Sequence, residues 1–300
     1  MEACVELPEA LSLSDEDGHT TRVDRYEVQL VTSCQAAPEG PAGLPLACSL
    51  VGSDLLAEAV PGEDAAALAA VLQSLHTRLE PAWVELVVSP DGQLRRFALH
   101  DVPARDRRSR AVAEALGWMV ERAFVGLDLV FSPTGALSWG ERNPALLTYL
   151  PANRSAGAAR LLDEGALSAD GALLEVKSRG RGVIMADPLS ARGGGSPVGG
   201  LSLSMAAQSR AQFDVAEGTL EARSWEVLSR TTPGAGLDAS TMRRPYAMAG
   251  EIERLQPGAK VQLSPTGVWG SSPPGGACQA LDAARASLEA ALDAPLTAPQ

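Results

Sequence analysis

The sequence contains no run of about eighteen apolar residues, the minimum for a helix that crosses a bilayer. We therefore predict no transmembrane span. The residues from Met1 to Cys4 also lack a charged segment followed by an apolar one, so we expect no signal peptide in the sequence as it stands.

Motifs for nucleophilic catalysis and nucleotide binding are missing as well. No Gly-x-Ser-x-Gly elbow is present. The glycine-rich run at 192–200 lacks the Lys-Ser/Thr of a phosphate loop and the strand–turn–helix context of a dinucleotide fingerprint. We interpret this run as a flexible loop, and we predict no cofactor.

Histidine is scarce, which limits acid–base and metal chemistry. His19 lies in an acidic segment and His76 beside an apolar helical stripe, and neither shows the spacing to further ligands that a metal site needs, so we predict none. His100-Asp101 is the best catalytic pair, but adjacent strand residues point to opposite faces. Glu141 is a lone carboxylate. We predict that the protein is not an enzyme; the alternative is a hydrolase-like enzyme that uses His100 or Glu141.

The charge of the chain is negative and uneven. The net charge is −12, and residues 1–64 hold thirteen acidic and two basic side chains, hence −11 of that total. This balance argues against nucleic acid as a partner, because phosphate binding needs a cationic face. The nearest cluster of cations is Arg105, Arg107, Arg108 and Arg110, which we interpret as a solvated helix start rather than an anion site.

Four cysteines point to an oxidising compartment. Cys34 and Cys48 bracket a loop rich in proline and glycine between two apolar stretches, which predicts a disulfide. Cys4 and Cys278 form the second candidate pair, although a lipidated Cys4 is also conceivable. We predict a periplasmic or cell-surface protein whose signal has been removed; the alternative is a cytoplasmic protein with buried thiols.

Hydrophobic periodicity predicts long strands and three helices. One helix starts at the cap Asp64 and ends before Pro81, a second covers 107–126, and a third covers 277–292. Strands are predicted at 26–32, 46–51, 83–88, 94–99 and 246–255, and one hairpin at 201–228. The tetrad Ser-Pro-Asp/Thr-Gly at 89–92, 132–135 and 264–267 is typical of a hairpin turn.

These elements divide the chain into five segments. They are an acidic N-terminal tail or loosely attached strand at 1–22, an α+β lobe at 23–150, a strand pair with a glycine-rich loop at 151–200, an antiparallel β lobe continuing the same sheet at 201–276, and a C-terminal helix and tail at 277–300. The number of domains stays open.

The predicted fold class is α+β, with a twisted antiparallel sheet of long hairpins, two amphipathic helices on one face and a C-terminal helix. As an open half-barrel, this layout resembles exported lipid and lipoprotein carriers at the level of fold alone. We expect tryptophans to anchor the core, and an apolar pocket could be lined by Trp83, Trp118, Trp139 and Trp225.

The function that this reading favours is a non-enzymatic exported envelope protein that binds an apolar small molecule or another envelope protein. A structural component of a surface assembly without a ligand is the alternative. The identity of the ligand or partner and the oligomeric state are left open.

Overall fold

One large antiparallel sheet and three helices make up the computed structural model, which describes residues 1–15, 17–38, 43–88, 94–124, 140–141, 155–168, 170–186, 201–232, 246–256, 258–270, 273 and 275–294. Within these residues the strands are β1 (Glu2–Ser14), β2 (Thr20–Ala36), β3 (Leu44–Glu58), β4 (Trp83–Val88), β5 (Leu94–His100), β6 (Gly140–Glu141), β7 (Ser155–Leu167), β8 (Leu173–Ala186), β9 (Leu201–Asp214), β10 (Thr219–Thr232), β11 (Tyr246–Glu253) and β12 (Gly267–Trp269). The helices are α1 (Ala65–Leu79), α2 (Arg107–Phe124) and α3 (Ala277–Asp293). The predicted α+β class is confirmed.

The sheet is open, with strand order β5-β4-β3-β2-β1-β11-β10-β9-β8-β7-β6. Neighbours along this path pair antiparallel, whereas β12 lies off the path and pairs parallel with β3. Strands β5 and β6 stand at opposite ends, so the sheet does not close on itself. The pairing of β1 with β11 joins an early and a late part of the chain at the centre of the sheet.

The first strand lies in the middle of the sheet, so the interpretation of residues 1–22 as an acidic tail is wrong. β1 pairs with β2 on one side and with β11 on the other. Its residues Ala3, Val5, Leu7 and Leu13 are buried on one face. They occupy alternate positions, the period-2 pattern of a strand, and the acidic residues between them obscured it.

The helices cover both faces of the sheet. α1 and α2 share one hydrophobic cluster with β1, β2 and β3, and α3 packs against the opposite face. α1 buries the predicted stripe of Leu68, Val71, Leu72, Leu75 and Leu79, and the Asp64 side chain accepts a hydrogen bond from the Ala66 amide at 2.8 Å. The central strands are therefore buried on both sides, which explains their apolar content.

The predicted hairpin at 201–228 is confirmed as β9 and β10, which pair antiparallel across a turn at 215–218. Gly218 takes a φ of +65° in this turn, a conformation that glycine adopts without steric cost. The hairpin hypothesis also places Leu203, Met205 and Phe213 on the inner face. Phe213 is half-buried, and for Leu203 and Met205 the structure describes only the backbone.

Three features of the strands differ from the predictions. The strand pair predicted within 151–200 places its two strands at 174–176 and 183–184, but both lie in the single strand β8, and its partner β7 was not predicted. The tetrad at 264–267 is not a hairpin turn, because it leads into β12, which runs parallel to β3. Thr266 decides this geometry: its amide and hydroxyl donate to Asp54 Oδ1 at 2.9 and 2.8 Å. The tetrads at 89–92 and 132–135 and the glycine-rich run lie outside the described residues.

Two disulfides tie the sheet together. Cys34 and Cys48 are direct partners across β2 and β3, and their sulfurs are bonded. Cys4 on β1 is bonded to Cys278 at the start of α3, across 274 residues of sequence. In the part of the chain that the structure describes, no helix combines the length and the apolar character needed to cross a membrane.

Candidate functional site

An open groove of about 530 Å³ lies between α2 and the edge strand β5. The residues that line it are Phe97, Ala98, Leu99, Ala104, Arg110, Ala113, Glu114, Gly117, Trp118 and Glu121. Most of this lining is apolar or small, and the charged side chains all come from α2. The groove lies at one end of the sheet because β5 is the last strand there.

The sequence of β5 explains the floor of the groove. Phe97 and Leu99 pack toward the hydrophobic cluster under α2, while the alternating Arg96 and His100 follow the other face of the strand. Phe97 meets Phe124 with a centroid distance of 5.7 Å. The inner face of β5 is thus apolar but remains half-exposed.

The sequence of α2 explains the wall. Its buried stripe packs mainly over β1 and β2, which leaves the space above β5 less filled. The stripe beside it comprises Arg110, Ala113, Gly117, Trp118 and Glu121, spaced three or four residues apart on one side of the helix. At Gly117, an added Cβ would meet no atom within 4 Å, so the groove is open at mid-helix.

Trp118 is held in place by neighbours on its own helix and on the sheet. Its ring lies 6.1 Å from the Tyr26 ring, and the guanidinium carbon of Arg122 stands 4.2 Å above the indole. Arg122 is only 1% exposed and pairs with Glu121 at 3.3 Å. The ion pair helps to hold Arg122 over the indole, and the cation–π contact stabilises the indole in this position.

The link between β5 and α2 is anchored at both ends. The Trp83 indole donates a hydrogen bond to Asp101 Oδ2 at 3.0 Å, and Asp101 adopts a φ of +62°. Arg78 on α1 donates to the Pro103 carbonyl at 3.1 Å. These bonds fix the end of the groove where Ala104 lies.

His100 lies on the face of β5 away from the groove. Its Nε2 lies 2.9 Å from Glu85 Oε2, and its ring stacks on Trp83 with a centroid distance of 4.2 Å. Asp101 bonds to Trp83 instead, so the side chains of His100 and Asp101 take different partners. The cross-strand partner Glu85 was not predicted, although the β4–β5 hairpin places it two residues along from Trp83.

The four tryptophans predicted to line one pocket occupy different places. Trp118 lines the groove. Trp83 stacks on His100, Trp225 is 1% exposed in the core, and neither lines the groove. Trp139 lies outside the described residues. For Glu141 the structure describes only the backbone, in β6 at the opposite end of the sheet from His100.

One cluster of potential metal ligands was missed, and the expectation that His19 has no neighbouring ligand is wrong. Asp15, Asp17 and His19 converge in the turn between β1 and β2. His19 Nδ1 lies 2.8 Å from Asp15 Oδ2, and this hydrogen bond is the main reason that the pKa of His19 is raised. The Arg108 guanidinium lies against Gly18, and a cation there opposes the binding of a metal ion. The Asp-x-Asp-x-His spacing was the available signal.

A second polar region lies under the N-terminus of α3. Glu27, fully buried on β2, accepts hydrogen bonds from Gln29 Nε2 at 2.7 Å and from the Cys278 amide at 3.2 Å. Gly276, the N-cap of α3, has no side chain to cap the helix, so Glu27 supplies the acceptor. Arg25 donates to the Cys278 carbonyl at 3.0 Å and to Asp282 at 2.8 Å.

Carboxylates crowd this region. Glu2, Glu251 and Glu253 line a cavity of about 300 Å³ beside the start of α3. Burial raises the pKa of Glu27 to about 7, and the charge of the nearby Glu2 raises it further. The hydrogen bonds from Gln29 and Cys278 act in the opposite direction. Burial and Glu251 raise the pKa of Glu2 as well. Burial also raises the pKa of Glu226, with a smaller contribution from Glu251.

We expect the free energy of unfolding to depend on the protonation of Glu27. Its pKa is about 7 in the folded chain and 4.5 for an ordinary glutamate side chain in water, so folding takes up a proton between these pH values. This contribution is fully present below pH 4.5 and is lost as the pH rises through 7. As the pH rises from 5 to 8, the free energy of unfolding of the wild type should fall by on the order of 3 kcal/mol relative to that of Glu27→Gln. Urea unfolding at each pH measures both proteins.

Glu80→Gln, which alters an exposed carboxylate, is the control and should leave the pH profile of wild type unchanged. Parallel profiles for wild type and Glu27→Gln would show that Glu27 does not titrate in this range.

Comparison of the chain with protein-family models, with curated proteins and with solved structures yields no match. The case for a function therefore depends on the geometry of the groove.

Proposed function

We propose that this protein is a non-enzymatic exported envelope protein that binds an apolar small molecule in the groove between α2 and β5. The observation that carries the proposal is the groove itself, with a volume of about 530 Å³ and an apolar lining of Phe97 and Leu99 on the floor and Trp118 on the wall. A volume of this size is typical of small-molecule sites, which combine apolar walls with a few polar groups.

The construction of the groove supports the proposal. Trp118 is held by Tyr26 and Arg122, and the connecting loop is held by Trp83 and Arg78, so the walls are preformed. A preformed site loses less conformational entropy on binding than a flexible site does. The half-exposed apolar side chains gain free energy when a ligand removes them from water.

The two disulfides support export to an oxidising compartment such as the periplasm or the cell surface. The fold-level analogy with exported lipid and lipoprotein carriers agrees with a carrier role. Native mass spectrometry of the protein purified from its own host tests both points, since it reports a retained ligand and the mass deficit of two disulfides.

A variant that fills the groove provides the direct test. Gly117→Leu adds a side chain where a Cβ meets no atom within 4 Å, and it replaces glycine within a helix, so the fold should be kept or stabilised. We expect this variant to weaken binding of the uncharged fluorophore N-phenyl-1-naphthylamine by about tenfold, since the leucine side chain takes the place of about two ligand carbons worth ~0.8 kcal/mol each. Fluorescence titration gives the affinity.

Gly117→Ala is the matched control, because it makes the same backbone change with one methyl group and should bind the fluorophore nearly as wild type does. Equal binding by wild type and Gly117→Leu would refute the groove as the site. His100→Ala tests the enzyme alternative: we expect fluorophore binding unchanged, and a loss of esterase activity in that variant would favour a hydrolase.

A further inference from the structure

The cations at the start of α2 lie beside one end of the groove. Arg110 lines the groove directly. Arg107 is three residues earlier and so lies on the same side of the helix. Arg105 follows Ala104, which also lines the groove. All three side chains are exposed.

These three arginines differ from most cations of the protein in having no ion-pair partner among the described residues. Elsewhere, cations meet carboxylates in the pairs Arg22–Glu63, Arg25–Asp282, Arg210–Glu175, Arg230–Asp293, Arg254–Glu217 and Arg285–Glu6. The group is notable because the chain as a whole carries a net charge of −12, yet none of the three guanidiniums has a carboxylate partner in the described part of it. The surplus positive charge at this point has no counterion from the described part of the fold.

The nearest carboxylate in sequence does not neutralise the group. Asp106 accepts a hydrogen bond from the Ser109 amide at 2.7 Å and one from the Ser109 hydroxyl at 3.0 Å, which caps α2. Its charge also acts on Arg108, which lies against Gly18 of the β1–β2 turn. Arg110 Nε donates a hydrogen bond to the Asp106 backbone carbonyl at 3.3 Å. No carboxylate among the described residues forms an ion pair with Arg105, Arg107 or Arg110, so their charge is available to a group from outside this part of the chain.

The charges that line the groove change sign from one end to the other. Arg110 marks one end of the stripe on α2, and Glu121 marks the other, eleven residues or about 16 Å further along the helix. Glu114 and Glu121 repel an anion from the middle and far end, while Phe97, Leu99 and Trp118 line the space between. An elongated molecule with one negative end therefore fits in one orientation.

We infer that the ligand of the groove is a single-chain anionic amphiphile, such as a long-chain fatty carboxylate, with its headgroup on Arg105, Arg107 and Arg110 and its chain along Trp118 toward Glu121. This inference rests on the proposed function of the groove. Guanidinium groups bind carboxylates through paired N–H donors, which matches the headgroup. The apolar floor accounts for the chain.

The test compares a charged and an uncharged competitor of the same length. Dodecanoate and 1-dodecanol are titrated at pH 8 against protein loaded with N-phenyl-1-naphthylamine. Dodecanoate should displace the fluorophore at about tenfold lower concentration than the alcohol, and 0.5 M NaCl should reduce this preference because salt screens exposed charges.

In Arg105→Gln/Arg107→Gln/Arg110→Gln, we expect the ratio of the two displacement concentrations to fall toward one. The control Arg22→Gln/Arg230→Gln/Arg254→Gln makes the same change in net charge at ion pairs that do not line the groove, and it should keep the wild-type ratio. Exposed ion pairs contribute little to stability, so the control should remain folded.

Two results distinguish a failure of this inference from a failure of the proposed function. If wild type binds the fluorophore but prefers neither competitor, or if both triple variants lose the preference equally, the headgroup site is wrong and the apolar groove stands. If wild type does not bind the fluorophore at all, the proposed function fails and the inference fails with it.

Discussion

Replacing Cys4 and Cys278 with serine is expected to lower the free energy of unfolding by about 5 kcal/mol, the largest stability effect that we predict for any single covalent link. This disulfide spans 274 residues and joins the central strand β1 to α3. In the chain-entropy account, the longer the loop that a crosslink closes, the more it restricts the unfolded chain. Urea unfolding monitored by circular dichroism gives the loss.

Cys34→Ser/Cys48→Ser is the matched control, because it removes one disulfide with a sequence separation of only 14 residues. We expect a loss of about 3 kcal/mol from this shorter loop. Adding a reducing agent to each double variant should then remove the remaining disulfide. If the Cys4–Cys278 pair contributes the same as the short loop, or less, the chain-entropy account does not apply to this protein.

Gly250→Ala is expected to destabilise the protein by about 3 kcal/mol or more, a large effect for a single methyl group. Gly250 lies on β11 and is the register partner of Ala3 on β1 and of Trp225 on β10. A Cβ at this position would overlap the Trp225 ring and lie 2.7 Å from the Glu2 carbonyl oxygen. Trp225 is 1% exposed, so its ring has little room to shift.

Gly270→Ala is the control, since a Cβ at that position meets no atom within 4 Å, and its stability should stay close to that of wild type. A double-mutant cycle with Trp225→Leu identifies the cause. The leucine substitution should cost less in the Gly250→Ala background than in wild type, because it removes the group that the alanine displaces. Additive losses would mean that the ring is not the obstacle, and thermal or urea unfolding measures all four proteins.

Much of the local structure was predictable because it follows from short-range patterns. The stripe from Leu68 to Leu79, the cap at Asp64 and the β9–β10 hairpin depend on residues close together in sequence. The cysteines were few enough that their bracketing of a loop indicated one disulfide and left a second pair. Each of these features depends on which nearby side chains share one face of a helix or strand, and that is set by the local backbone geometry.

The candidate groove was only partly predictable. Trp118 was expected near a pocket, but its companions in the groove are Phe97 and Leu99 rather than Trp83 or Trp225. Which tryptophans meet depends on how α2 crosses the sheet, and side-chain periodicity within α2 does not encode that crossing. The arginines at the start of α2 were interpreted as a solvated helix start. Sequence cannot show that other arginines pair with carboxylates distant in the chain, as Arg25 does with Asp282 and Arg285 with Glu6, whereas the arginines at the start of α2 that face the groove have no such pair among the described residues.

By itself the sequence determined the α+β class, the approximate bounds of the main helices and strands, and the amphipathic faces, because these depend on residues a few positions apart. Only the tertiary structure decided that β1 lies at the centre of the sheet between β2 and β11, that Glu27 caps α3 from a distant strand, and that Arg110 and Trp118 share a groove with β5. These arrangements join residues separated by tens to hundreds of positions. Their physical cause is the burial of both faces of one sheet, a balance over the whole chain that no local pattern contains.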